Sequence, residues 1–172
     1  MLIRDERSCD VDAIRSLVSS AFPTDAEARL IDKLRAANRL TISLVVESNN
    51  RIIGHIAFSP VAAATGASSI GLGLAPLSVV ETERRRGVGA ALVRAGLERC
   101  RETGIPFVAV LGEPGYYGRL GFHAAEEFGL YDAYGGGAAF QVLELRERGA
   151  PRDGGLVRYA PEFAIFEAGA SS

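Results

Sequence analysis

The sequence predicts an α/β layered domain. Three observations carry that prediction. The apolar spacing changes near residue 41 from a helical to a strand period. Strand-like and helix-like segments then alternate through the middle of the chain, which is the pattern of a sheet covered by helices. Apolar residues make up 48% of the 172 positions, enough for one buried core. No internal repeat and no interdomain linker interrupts the pattern, so residues 1–172 read as a single domain.

Residues 2–4 predict a short first strand. Asp10 stands where a helix cap would, ahead of Val11, Ile14, Leu17 and Val18 on one apolar face. Pro23 stops that helix. Thr24 and Glu27 form a Thr-x-x-Glu capping-box pattern, and Leu30, Ile31 and Leu34 share one side of the helix it opens. Asn38 marks its end. Residues 41–47 read as a strand, Asn49 and Asn50 as a turn, and residues 51–59 as the hairpin partner. The small, polar residues 62–69 suit a loop. Residues 72–80 form an apolar strand with Pro76 inside it, where a lost ladder bond predicts a bulge or splay. Residues 87–103 give the clearest helix, ended by Gly104. Residues 107–111 predict a buried strand, Pro114 the first turn of a short helix, and residues 140–145 another strand. Glycine runs at 135–137 and 154–155 mark loops.

The net charge of −2 and pI near 5.8 supply no basic field for nucleic acid. Cys9 and Cys100 lie far apart with no accompanying Cys/His cluster, which argues against zinc and favours two buried free thiols over a disulfide. No metal and no redox cofactor is expected. No apolar run reaches membrane-span length and the first residues carry no apolar signal core, so the expected location is cytoplasmic, with no membrane partner.

The informative stretch runs from Leu77 to Leu92. A strand enters an arginine-rich loop, Arg84-Arg85-Arg86, then Gly87-Val88-Gly89-Ala90, then an amphipathic helix. The first helical turn has unpaired N–H groups and a positive dipole end, glycine admits a ligand close to the backbone, and arginine adds charge. Together these describe a diphosphate cradle. The plainer alternative is an ordinary strand-to-helix loop with a solvated basic face. A dinucleotide fingerprint would need glycine at Leu92, and a phosphate-binding P-loop would need Lys and Ser or Thr after Gly89; both are missing.

Arg84-x-x-Gly87-x-Gly89, placed after Leu77-Ser78-Val79, resembles the pyrophosphate motif of the Gcn5-related N-acetyltransferases (GNAT). Tyr116-Tyr117-Gly118-Arg119-Leu120-Gly121-Phe122 is similar to that family's Tyr-x-x-x-Gly-Phe element. Residues 54–60, 110–114 and 157–161 resemble the bacterial YhbS-type acetyltransferase subgroup. The resemblance implies a mixed central sheet, splayed between the strands at 72–80 and 107–111 and flanked by helices. It implies acetyl-CoA as acyl donor and an amine on a small molecule or peptide as acceptor. Backbone groups of Leu77 and Val79 would meet the pantetheine arm, and the amides from Arg85 through Ala90 the diphosphate, with the Val79 amide as oxyanion donor. A monomer or a homodimer is consistent with it.

Direct attack on a thioester needs a neutral amine, an oxyanion donor and a proton for the departing sulfur. A lysine-like ammonium has a pKa of about 10.4, so deprotonating it at pH 7 costs roughly 4–5 kcal/mol. By the resemblance Tyr117 is the acid to the sulfur; its alternative is a tyrosine that anchors the loop. His55 is the candidate base because its natural pKa suits the task, against the alternative of a satisfied structural histidine in an apolar strand. Glu81 and Glu113 stand at strand ends, facing either a cleft or solvent. Tyr131 and Tyr134 either line an acceptor pocket or belong to a loop. A second reading of the whole chain is a catalytically silent acyl-CoA-binding module, which would keep the cradle and lack a working acid and base.

Overall fold

The computed structural model describes residues 1–63 and 70–167. The strands are β1 (Leu2–Asp5), β2 (Ile42–Ser48), β3 (Arg51–Ala63), β4 (Ile70–Val79), β5 (Phe107–Leu111), β6 (His123–Ala124), β7 (Leu130–Asp132), β8 (Phe140–Glu144) and β9 (Gly155–Tyr159). The helices are α1 (Val11–Ala21), α2 (Ala26–Ala36), α3 (Val88–Glu102) and the short α4 (Pro114–Gly118). The strands make one mixed sheet in the order β1-β2-β3-β4-β5-β8-β6, with β9 pairing both β3 and β7. The chain divides into two compact units. The first holds Met1–Phe58, Pro76–Gly96 and Ala160–Ser172, the second Ser59–Ala75 and Leu97–Tyr159.

In the first unit β1, β2 and β3 run antiparallel. Asn49 and Asn50 close the β2–β3 hairpin at φ +50° and +59°, the left-handed pair that a two-residue turn requires. Ile14, Leu17 and Val18 of α1 and Ala28 and Ile31 of α2 bury their apolar stripes with Val45 of β2. α3 covers the other face of β3, where glycines set the spacing. A side chain at Gly54 would place its Cβ 3.0 Å from Leu92, and one at Gly96 would come 2.4 Å from the Phe58 ring. Phe58 has no exposure, so the helix and the ring fit only because residue 96 has no side chain.

In the second unit β4 pairs parallel to β5, from Leu72↔Val108 to Leu74↔Val110. That ladder ends ahead of Pro76, which cannot donate a ladder bond. β8 runs antiparallel to β5, and the end of β3 pairs with β9 from Val61↔Tyr159 to Ala63↔Val157. Val61, Phe107, Ala109, Phe140, Val142 and Val157 form the core of this unit.

Several local expectations change. Asp10 occupies the cap position of α1, but its carboxylate is drawn to Arg4 and the Arg7 amide, because an arginine fork outcompetes a helix amide. The Thr24/Glu27 box does not form: α2 starts after Asp25, and the Thr24 hydroxyl accepts the Ala26 N–H at 3.3 Å. β3 continues through Ala62 and Ala63, and the rest of the expected 62–69 loop lies outside the described residues. Cys100 is buried as expected but Cys9 is exposed, since it falls in the turn before α1; both thiols are free. Burial pushes the Cys100 thiol up to about 12. The strands β6, β7 and β9 are too short or too glycine-bounded to show a period.

Candidate functional site

In the first unit the segment between β4 and α3 is built as an open loop. A short 3₁₀ turn over Glu81–Glu83 leads to Arg84, whose Nε donates to the Val79 carbonyl at 3.1 Å. Arg85 and Gly87 both take positive φ, +61° and +82°. Gly87 immediately precedes α3, and among the described residues nothing lies within 4 Å of where its Cβ would be. The helix's first intrahelical bond here is Ala91 N–H to Gly87 carbonyl, so the amides of Val88, Gly89 and Ala90 have no helical acceptor. Arg84, Arg85 and Arg86 are exposed around this end, while Val88 is buried and anchors the turn. An arginine-flanked helix N-terminus with free amides and open space above them can hold an anion. Leu77 and Val79 lie half-buried on the strand leading into it.

His55 sits on the opposite face of β3 and has no exposure. It joins a hydrogen-bonded chain. Arg35 grips both Glu6 oxygens, at 2.7 and 3.1 Å. The Ser43 hydroxyl donates to Glu6 and stands 2.8 Å from His55 Nε2. A hydroxyl that donates to a carboxylate must accept from the ring, so Nε2 carries the proton and Nδ1 keeps the lone pair. Nδ1 is buried with no hydrogen-bond partner among the described residues. Burial first, and Arg35 as well, hold the ring below its ordinary pKa against the pull of Glu6, so it is neutral at pH 7. Burial pushes the Glu6 carboxyl up, but the His55 ring 3.8 Å away and the hydrogen bonds from Arg35 and Ser43 outweigh it and hold it down at about 2. A cavity of about 240 Å³ lined by Asp5, Glu6, Arg35, Asn38, Leu40 and Ser43 opens beside Glu6.

In the second unit Tyr117 lies in α4, 8% exposed. Its ring fills the space over Gly112, where a Cβ would come within 2.3 Å, and meets Tyr116 and Phe122 edge-on at 5.0 and 5.6 Å. Gly121 turns the chain at φ +99° so that the Phe122 amide can return to the Tyr117 carbonyl. This explains the spacing of tyrosine, glycine and phenylalanine in the sequence. Burial, and then Tyr116, push the Tyr117 phenol up to about 12, so it is a proton donor at neutral pH. Glu113 caps α4 by accepting the Gly115 amide at 2.9 Å, and Glu81 is exposed.

An acetyltransferase (GNAT) domain model matches residues 3–125. The chain belongs to the GNAT acetyltransferase family. It is 38% identical over 168 residues to the uncharacterized N-acetyltransferase YhbS of Escherichia coli K12, covering 96% of this chain and all of that one. The E. coli YhbS structure in complex with CoA superposes with a TM-score of 0.88 at 37% identity, covering 94% of this chain and 91% of that one. A Brucella melitensis GNAT acetyltransferase in complex with acetyl-CoA gives a TM-score of 0.78 at 35% identity, covering 94% and 97%. The GNAT fold expected from the two sequence motifs, a mixed sheet flanked by helices, is the fold observed.

This GNAT chain also carries polar groups to which sequence reasoning assigned no role. Asp132, Ser59, Ser78 and the Tyr159 hydroxyl are all buried. Tyr159 falls within the stretch 157–161 noted above, the one sequence signal for it. Among the described residues no cluster of three or more His, Cys, Asp or Glu side chains is arranged to hold a metal, and no helix is long and apolar enough to cross a membrane.

Proposed function

We propose that this GNAT protein transfers an acetyl group from acetyl-CoA to an amine, with residues 1–172 serving as one acyltransferase domain. The observation that carries the proposal is the open, arginine-flanked N-terminus of α3, with Gly87 at φ +82° and, among the described residues, nothing within 4 Å of its Cβ position. The CoA and acetyl-CoA held by the two relatives above support it. The diphosphate would take the amides of Val88, Gly89 and Ala90, with the Arg85–Gly87 backbone and the Arg84 and Arg86 charges around it. Leu77 and Val79 would offer backbone groups to the pantetheine arm, and the Val79 amide would face the oxyanion.

In the reaction the neutral amine nitrogen attacks the thioester carbonyl carbon. The tetrahedral intermediate then loses the carbon–sulfur bond, and the sulfur takes a proton from a donor, for which Tyr117 is proposed. A phenol with its pKa pushed up to about 12 is fully protonated at pH 7, so its proton is at hand for the departing sulfur. His55 is read as structural. Its complete burial and its bond to Ser43 support that reading over the role of base, and the amine's proton leaves through water.

The test is calorimetry with acetyl-CoA, followed by a thiol-release screen over amines, amino acids, aminoglycosides and peptides. Micromolar binding with turnover of at least one amine is expected. Absence of acetyl-CoA binding to the folded protein would overturn the assignment, and tight binding with no turnover would replace the enzyme by a silent binding module.

A further inference from the structure

The second unit contains a buried carboxylate with no cation paired to it among the described residues. Asp132, at the end of β7, is 6% exposed, and its oxygens accept the backbone N–H groups of Gly136 at 2.8 Å and Tyr134 at 3.0 Å. No arginine, lysine or histidine among the described residues forms an ion pair with it. Asp10 is equally buried and makes the contrast: Arg4 grips it through two bonds of 2.7 and 3.1 Å. A carboxylate taken out of water costs several kcal/mol in solvation, and here two backbone amides stand against that cost with no cation beside them among the described residues.

Its neighbours suit one. Tyr159 stands opposite Val61 on β9, and its ring lies on the β4 backbone at Gly73, where a Cβ would come within 2.7 Å. Burial first, then Asp132, Tyr134 and Tyr117, push its phenol up, so the hydroxyl stays a donor. Tyr134 is 40% exposed and its ring is tilted against Tyr159 at 6.3 Å, so an aromatic side chain lies partly open beside it. The loop beyond it carries no side chains. Gly136 must be bare, because a Cβ there would meet Leu111 at 2.3 Å and the Asp132 carboxylate at 3.2 Å. The Ser59 hydroxyl, two residues before Val61 on the same face of β3, is buried with no hydrogen-bond partner among the described residues.

We propose that Asp132, with Tyr134 and Tyr159, forms the subsite that receives a positively charged group of the acceptor, and that the acceptor is an amine carrying a second cationic centre. The inference rests on the acetyltransferase reading. The reacting amine must shed its proton, and a carboxylate beside it would hold that proton on. The charge received by Asp132 therefore belongs to a second group of the same molecule. Acceptors bearing a carboxylate at that position are repelled.

The experiment compares α,ω-diamines of two to six carbons with amino alcohols of the same length, in which a hydroxyl replaces the second ammonium, using acetyl-CoA and thiol release. A hydrogen-bonded charge contact contributes about 1.5–3 kcal/mol. The best diamine should therefore exceed its amino alcohol about 10- to 100-fold in kcat/KM, with the difference in KM. Asp132→Asn should collapse that ratio toward one. Tyr134→Leu should lower it severalfold, whereas Tyr134→Phe, which keeps the ring, should preserve it. Calorimetry with acetyl-CoA on the same preparations identifies folded variants, and Tyr134→Leu at the rim carries the test if Asp132→Asn does not fold. A wild-type ratio near one, or an unchanged ratio in the folded variants, overturns the subsite. If acetyl-CoA binds and no amine turns over, diamine binding to the coenzyme A complex is titrated instead, and its absence overturns the subsite as well. Failure to bind acetyl-CoA overturns the acetyltransferase reading instead.

Discussion

Gly96 offers a test in which the sign of the effect is the prediction. In an exposed helix, glycine to alanine stabilises by about 1 kcal/mol, because glycine has the larger backbone entropy to lose. Gly96 lies inside α3 and faces Phe58 of β3. The added Cβ would meet two ring atoms at 2.4 and 2.5 Å, and the ring is completely buried, so it cannot swing into solvent. Overpacking of this kind costs about 1–3 kcal/mol. Gly96→Ala should therefore destabilise by up to about 2 kcal/mol net of the propensity gain, lowering Tm by about 4–8 °C for a chain of this length. In a Phe58→Leu background the obstruction is gone and Gly96→Ala should become neutral or stabilising. Urea denaturation of the four proteins gives the coupling, expected to exceed about 1 kcal/mol. Displacing α3 also displaces the loop at its start, so acetyl-CoA affinity should fall with stability in Gly96→Ala. A stabilised Gly96→Ala single variant would refute the packing argument, and additive effects would show that the ring and the helix are not in the contact described.

Gly89→Glu should remove measurable acetyl-CoA binding in calorimetry while the circular dichroism spectrum is retained, because a carboxylate in the first turn of α3 both fills and repels the diphosphate position; retained affinity would move the coenzyme elsewhere. Tyr117→Phe removes a hydroxyl and keeps the ring packing over Gly112, so turnover should fall by roughly 10- to 1000-fold with coenzyme affinity nearly unchanged; equal turnover with an acceptor for which chemistry limits the rate would make Tyr117 an anchor. Glu6 is held down at about 2 from an ordinary 4.5, so its contribution is complete above pH 4.5 and lost as pH falls toward 2, at most about 3 kcal/mol in all. Glu6→Gln should flatten that limb of the stability curve measured by thermal melts. His55 is held below its ordinary 6.5, so the unfolded chain takes up its proton first and stability declines as pH falls below 6.5, by up to about 1.4 kcal/mol per pH unit; a His55→Gln variant should lose that slope.

The parts of this protein that were legible in the sequence are those whose residues act through local geometry. The Asn49-Asn50 turn, the glycine that starts α3 and the Gly121 turn after Tyr117 each require a backbone conformation that few residues adopt, and they mark their places at short range. The apolar stripes of α1 and α2 and the buried run of β5 show their periods for the same reason. The Arg84-x-x-Gly87-x-Gly89 and Tyr-x-x-x-Gly-Phe spacings each fall within one short continuous stretch, a loop entering α3 and α4 with the turn after it, so the family and its fold could be read before any coordinates.

What the tertiary structure decided are the relations between residues far apart in the chain. Asp10 was diverted from its helix by Arg4, and His55 was turned inward by Ser43 and by Glu6, which arrives from 49 positions upstream. Gly96 reads in the sequence as one more helical position; only the Phe58 ring against it gives it a role. Asp132, Tyr134 and Tyr159 come from β7, the loop after it and β9, segments too short to carry a period, and they meet because β9 pairs with both β3 and β7. Polar side chains in a fold are placed by which strands become neighbours, and strand pairing is settled by the burial of the whole core, a quantity that no local stretch of sequence contains.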